Sequence, residues 1–167
     1  MKGPQQMQDA TTAAELQPTE AIIDRIVTRY HKVHRAELPE LAALAAKVEN
    51  VHADHPAVPR GLADVLERML AELEDHMRKE EMILFPVMLE GGMPGIGGPI
   101  FVMRADHDEH EETIARIRKI TGGLTPPDDA CGSWRRLYAG TEKLLSDLAE
   151  HIHLENDVLF PRFENAR

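Results

Sequence analysis

The eleven residues HMRKEEMILFP, from His76 to Pro86, return seventy-five positions later as HIHLENDVLFP, from His151 to Pro161. Each copy places a glutamate four residues after a histidine and then closes on Leu-Phe-Pro. Residues four apart on a helix lie one above the other on the same face, so His76 points with Glu80 and His151 with Glu155. A carboxylate turned into a protein interior costs several kcal/mol unless something cationic and well coordinated meets it. Two such pairs therefore demand a fold that brings them together around positive charge.

The repeat extends further. HKVH supplies His31 and His34, and HDEH supplies His107 and His110. His31 precedes His76 by forty-five residues and His107 precedes His151 by forty-four. The chain thus reads as two helical hairpins of one design, each with HxxH on its first helix and HxxxExxxLFP on its second.

Apolar spacing supports helices in all four places. Ile22, Ile23, Ile26, Val27 and Tyr30 form a stripe in a helix predicted over 19–52, with Thr19 as its N-cap and a kink or short break at Pro39. Leu62, Val65, Leu66, Met69, Leu70 and Leu73 mark a second helix from about Gly61 to near Pro86. GGMPGIGGP is a flexible loop rather than a phosphate cradle, since no strand precedes it and no Walker lysine follows. IFVMRADHDEHEETIARIRKI is the third helix, ending at Thr121-Gly122-Gly123. The fourth runs from Ser133 to Phe160, with Trp134, Leu137, Tyr138, Leu144, Leu145 and Leu148 inward. Aromatic residues make up only 4% of the chain, so the core is built from good helix formers. The expected fold is all-α, an up-down-up-down four-helix bundle over residues 19–165, preceded by a flexible polar lead-in over 1–18.

In antiparallel helices rising ~1.5 Å per residue, His31, His76, His107 and His151 fall within a turn or two of one height. His52 lies twenty-one residues beyond His31, ~31 Å along a straight helix, and is kept from the centre. Four imidazoles and two carboxylates exceed the needs of one tetrahedral zinc, and HExxH is absent. They suit two first-row ions, iron or manganese. If Glu80 and Glu155 both bridge, each ion receives two histidines and two carboxylate oxygens. That leaves room for a bridging oxo or hydroxo group and one open position, which suits a small diatomic ligand. Spacing alone does not choose between His31 and His34, or between His107 and His110. His55 and His153 read as ordinary surface histidines. Glu81, facing Asn156 in the other copy, is expected at the surface, and Cys131 has no histidine or lysine partner visible in the sequence.

The stretches RYHKVHRAELPEL, KVENVHADHP, HMRKEEMILFP, MRADHDEHEE, TPPDDACGSW and HIHLENDVLFPR together cover most of Arg29 to Arg162. As a set the chain resembles the hemerythrin-like di-iron proteins, and within them the iron–sulfur cluster repair family linked to nitrosative and oxidative stress. The resemblance implies a non-haem di-iron centre with His31, His76, His107 and His151 as terminal ligands and Glu80 and Glu155 as bridges. It favours the first histidine of each HxxH and gives His52 some role. Many members begin with a small domain carrying an adjacent cysteine pair, and here about eighteen polar residues precede the first helix. The resemblance therefore points to a bare di-iron domain that binds or removes nitric oxide, or donates iron to iron–sulfur proteins with a partner's help. Reversible oxygen binding or sensing is the alternative.

A net charge of −10 argues against nucleic acid or an anionic membrane as partner. A single cysteine and a polar N-terminal stretch fit a reducing cytoplasm, with the chain monomeric or dimeric.

Overall fold

The computed structural model describes residues 4–164, and among them every regular element is helical. We label these α1 (Pro4–Glu15), α2 (residues 19–51), α3 (residues 62–89), α4 (Gly97–Ile120), α5 (residues 132–159) and α6 (Pro161–Glu164). Helices α2 to α5 form the expected four-helix bundle, and α2 packs against both α3 and α5. Its stretch read as a polar lead-in carries α1. The end of that helix is tied down by Arg162, whose guanidinium donates to the carbonyls of Ala14 and Glu15 and to Thr19 Oγ1. Thr19 is therefore not an N-cap; it is the first residue of α2, and its hydroxyl is used by Arg162.

The expected break at Pro39 is absent, and the helix is continuous from Lys32 to Val51. Leu38, Leu41, Ala42 and Ala45 around it are all buried against α3 and α5, and this packing holds the turn despite the missing N–H. At the other end of the hairpin Glu49 reaches from the last turns of α2 to accept from the backbone N–H groups of Gly61 and Ala63. Orphan donors at the start of α3 are thereby satisfied.

Three helices contain a wider π-helical turn: Ile26–His31 in α2, Glu80–Leu84 in α3 and Leu154–Leu159 in α5. In the two repeats the N–H of Phe85 bonds to the carbonyl of Glu80, and that of Phe160 to the carbonyl of Glu155. Pro86 and Pro161 follow immediately. A proline donates no N–H and crowds the carbonyl four residues back, and a single wide turn relieves that crowding. The Leu-Phe-Pro signature thus places a π turn directly after each repeated glutamate.

The apolar interior falls into two clusters. One holds Leu38, Leu66, Leu73, Trp134 and Leu148; the other holds Ile22, Ile26, Tyr30, Phe85, Ile100 and Phe160. Burying each such side chain is worth about 1.5–3 kcal/mol. Apart from both clusters stands a set of buried polar residues: His31, His34, His76, Glu80, His107, His110, His151 and Glu155.

Candidate metal centre

Each hairpin contributes one histidine from its first helix and the His/Glu pair from its second. His31 comes from α2, His76 and Glu80 from α3, His107 from α4, and His151 and Glu155 from α5. They assemble into two quartets, His31–Glu80–His151–Glu155 and His76–Glu80–His107–Glu155, and within each the ligand atoms all lie within 4.8 Å of one another.

The carboxylates are shared in a specific way. Glu80 turns Oε2 to His31 Nε2 at 3.3 Å and Oε1 to His76 Nε2 at 3.2 Å. Glu155 turns Oε1 to His151 Nε2 at 2.8 Å and Oε2 to His107 Nε2 at 2.9 Å. Each glutamate therefore offers one oxygen to each quartet, which is the arrangement a bridging carboxylate needs. The imidazoles of each quartet face one another, with Nε2 atoms 3.2 Å apart for His31 and His151 and 3.1 Å apart for His76 and His107.

Both glutamates are fully buried, yet Glu80 Oε1, Glu80 Oε2 and Glu155 Oε2 have no hydrogen-bond partner. The ring nitrogens beside them are close but out of line for hydrogen bonding. Nitrogens and oxygens that converge on common points while three of the buried carboxylate oxygens stay unsatisfied are placed for cations, and the donor set fits a non-haem di-iron centre.

The carboxylates also act on the imidazoles. Burial lowers the His31 pKa, but the close carboxylates of Glu155 and Glu80 outweigh it and lift the value to about 10. His76 is likewise pushed down by burial and lifted further by Glu80, to about 9, and His107 is raised by Glu155 against the same opposition. Burial opposes ionisation of Glu155, while the charge and hydrogen bond of His151 and the adjacent rings of His107 and His31 hold it well below the usual carboxylate range. Burial first, and cationic neighbours second, lower His34 and His110 to about 3, so both stay neutral.

The four central histidines are also held from behind. His31 Nδ1 donates to Glu81 Oε1 at 2.7 Å, and Arg35 grips that carboxylate through both Nη atoms while Glu74 holds the guanidinium. His107 Nδ1 donates to Asn156 Oδ1 at 2.8 Å. Glu81 is thus partly buried and engaged rather than free on the surface; it and Asn156 occupy equivalent places in the two repeats and orient equivalent histidines. The clue was their shared position after the glutamate, each with an oxygen able to accept. His76 Nδ1 donates to Asp106 Oδ2 at 3.1 Å, and His151 Nδ1 lies 3.2 Å from His34 Nε2. Such outer partners set tautomer and ring orientation at metal sites.

The phenylalanine of each Leu-Phe-Pro has a matching task. Phe85 stacks on His31 with centroids 5.9 Å apart, and Phe160 stacks on His107 at the same 5.9 Å. Tyr30 lies flat on His151, 5.5 Å away.

His34 and His110, the alternatives within each HxxH, are buried beside the quartets but belong to neither. His52 stands apart at the end of α2. Its Nε2 is 3.1 Å from Cys131 Sγ and its ring packs on Trp134, so Cys131 does have a histidine partner, brought from seventy-nine residues away. The backbone N–H of Trp134, and then His52, hold the Cys131 thiol below its usual pKa.

Two cation positions joined by two carboxylates inside four helices define a helical dinuclear metal protein. The family profile of the hemerythrin HHE cation-binding domain matches residues 22–163, and the chain belongs to that family. It is 50% identical over 146 residues to the iron-sulfur cluster repair protein YtfE of Yersinia pseudotuberculosis serotype O:1b (strain IP 31758), a match covering 87% of this chain and 66% of the relative. YtfE of Yersinia pestis (strain Pestoides F) is 49% identical over the same length and coverage. The chain thus spans just under two thirds of the relatives it matches.

Proposed function

We propose that this chain is a non-haem di-iron protein of the nitrosative and oxidative stress response, acting on nitric oxide and supporting the repair of iron–sulfur clusters. In this reading His31, His76, His107 and His151 are the terminal ligands and Glu80 and Glu155 the bridges. The observation that carries it is the division of each carboxylate between the two quartets. The half-identical relatives named for cluster repair supply the biological setting.

Iron bound here supplies redox chemistry and open coordination for a diatomic ligand. The protein contributes oriented imidazoles, two buried carboxylates and stacked aromatic rings that keep the histidines in register. Its targets are iron–sulfur proteins in the cytoplasm. Among the described residues no helix is long and apolar enough to cross a membrane, and the acidic surface repels nucleic acid.

The test is anaerobic. Reduced protein carrying two irons per chain is titrated with nitric oxide and followed by optical and electron paramagnetic resonance spectroscopy. New charge-transfer bands and a loss of the reduced-iron signal at about one equivalent per site are expected. An unchanged spectrum refutes the nitric-oxide reading, and an oxygenated band that persists for minutes in air would move the assignment to reversible oxygen binding.

A further inference from the structure

The two cation positions share their bridging carboxylates, so any difference between them must come from what stands behind their histidines. Behind the first position, Glu81 is fixed by two bonds from Arg35, which is itself held by Glu74. His34 completes that side against His151, whose ring is covered by Tyr30.

The second position is backed differently. The Nδ1 of His107 has a neutral amide, Asn156, where His31 has a clamped carboxylate. A hydrogen-bonded carboxylate makes an imidazole a stronger donor than an amide does. Each position has one such carboxylate, Glu81 behind His31 and Asp106 behind His76, so the two differ in how firmly that carboxylate is held, Glu81 being clamped by Arg35, and in what the neutral partner faces. Asn156 also lines a cleft of about 250 Å³ between α4 and α5, together with Arg104, Ile114 and Ile152. The bond that orients His107 therefore sits at the edge of a cleft open to the outside, whereas the bond that orients His31 is clamped by Arg35 although Glu81 is itself partly exposed.

A third difference concerns His110. It corresponds to His34, but His76 gives its Nδ1 to Asp106, and His110 keeps both ring nitrogens without a hydrogen-bond partner while only 3% exposed. A buried imidazole with nothing to bond is costly, and such groups mark a role not visible in the resting arrangement. Its ring stands 5.3 Å from that of His76 and 6.5 Å from that of His107, and Glu111, its neighbour in the chain, borders the cleft.

We propose that the two positions are unequal in retention. The ion held by His76 and His107 is the exchangeable one, leaving past Asn156 with His110 as a waiting imidazole ligand, while the ion held by His31 and His151 is retained. This rests on the di-iron reading above and adds which iron the protein can give away.

The experiment uses the full chain loaded anaerobically with ferrous iron, its metal content measured first, then mixed with excess coloured ferrous chelator and followed by absorbance. Release in two phases of equal amplitude, separated at least tenfold in rate, is expected. Outer partners change metal affinity by about 10–100-fold. Asn156→Asp, which puts a carboxylate behind His107, should slow only the fast phase by about tenfold. His110→Leu should also slow the fast phase, by removing the waiting ligand. Glu81→Gln should accelerate only the slow phase, by a similar factor. Release of both irons in one phase, or an Asn156→Asp effect confined to the slow phase, overturns the inference while leaving the di-iron reading intact. Fewer than two irons per chain before the chelator is added overturns both.

Discussion

In the metal-free protein His31 and His76 carry protons at neutral pH, because Glu80 and Glu155 raise them to about 10 and about 9 despite burial. A metal ion needs their lone pairs, so loading must expel those protons. At 1.36 kcal/mol per pH unit, stripping them at pH 7 costs about 4 kcal/mol for His31 and about 3 kcal/mol for His76. The overall association constant for two ions should therefore climb by about two decades per pH unit around pH 7–8 and level off once both groups titrate. The pH dependence of folding differs between the two forms. Histidine pKa values raised above 6.5 stabilise the apoprotein fully below that pH, and this contribution is lost as pH rises through about 9 to 10. The loaded protein carries no proton on these groups and neither does the unfolded chain above about pH 7, so its stability stays level over the same interval and the difference in melting temperature between holo and apo forms should widen from pH 7 to pH 9. Anaerobic competition against a chelator of known affinity, repeated across that range, measures the slope. A slope below about half a decade per unit would mean the imidazoles are already neutral in the apoprotein, and the electrostatic account of the two quartets would be wrong.

Glu155→Ala removes an oxygen from both quartets at once and should leave less than one iron per chain by metal analysis and Mössbauer spectroscopy, with no coupled pair. Phe160→Ala empties the stack on His107 and should lower apoprotein stability by about 3–5 kcal/mol in urea unfolding, as large-to-small core changes do. Arg29→Ala leaves Asp147 with Lys143 as its remaining cation and should cost about 1 kcal/mol at neutral pH, since Arg29 is partly exposed. Burial works against ionisation of Asp147, but Arg29 and Lys143 pull its pKa below the usual 3.8. That stabilisation is present above the ordinary carboxylate range and disappears as pH falls through it, so wild type and variant should converge in acid.

Much of this protein is legible along the chain. The doubled His-x-x-x-Glu spacing puts imidazole and carboxylate on one helix face whatever the surroundings, and helical apolar stripes fix the bundle, because both follow from the 3.6-residue period alone. The hairpin ends fell within a few residues of their predicted places for the same reason. Other features needed the neighbouring helix. His31 and His34 differ by a rotation of about 60° around the axis, too little for spacing to rank them, and only the packed bundle points one at the carboxylates and the other at the back of His151. Glu81 looks solvated in the sequence because it follows the inward Glu80, yet α2 brings His31 and Arg35 over it. Cys131 and His52 meet across seventy-nine residues for a similar reason. Pro39 is the converse case: its local preference for a break is real, but burial of the residues around it outweighs one lost hydrogen bond. Local periodicity determined which side chains turn inward; the contacts between helices decided which of them converge in the two quartets and which stand behind those histidines.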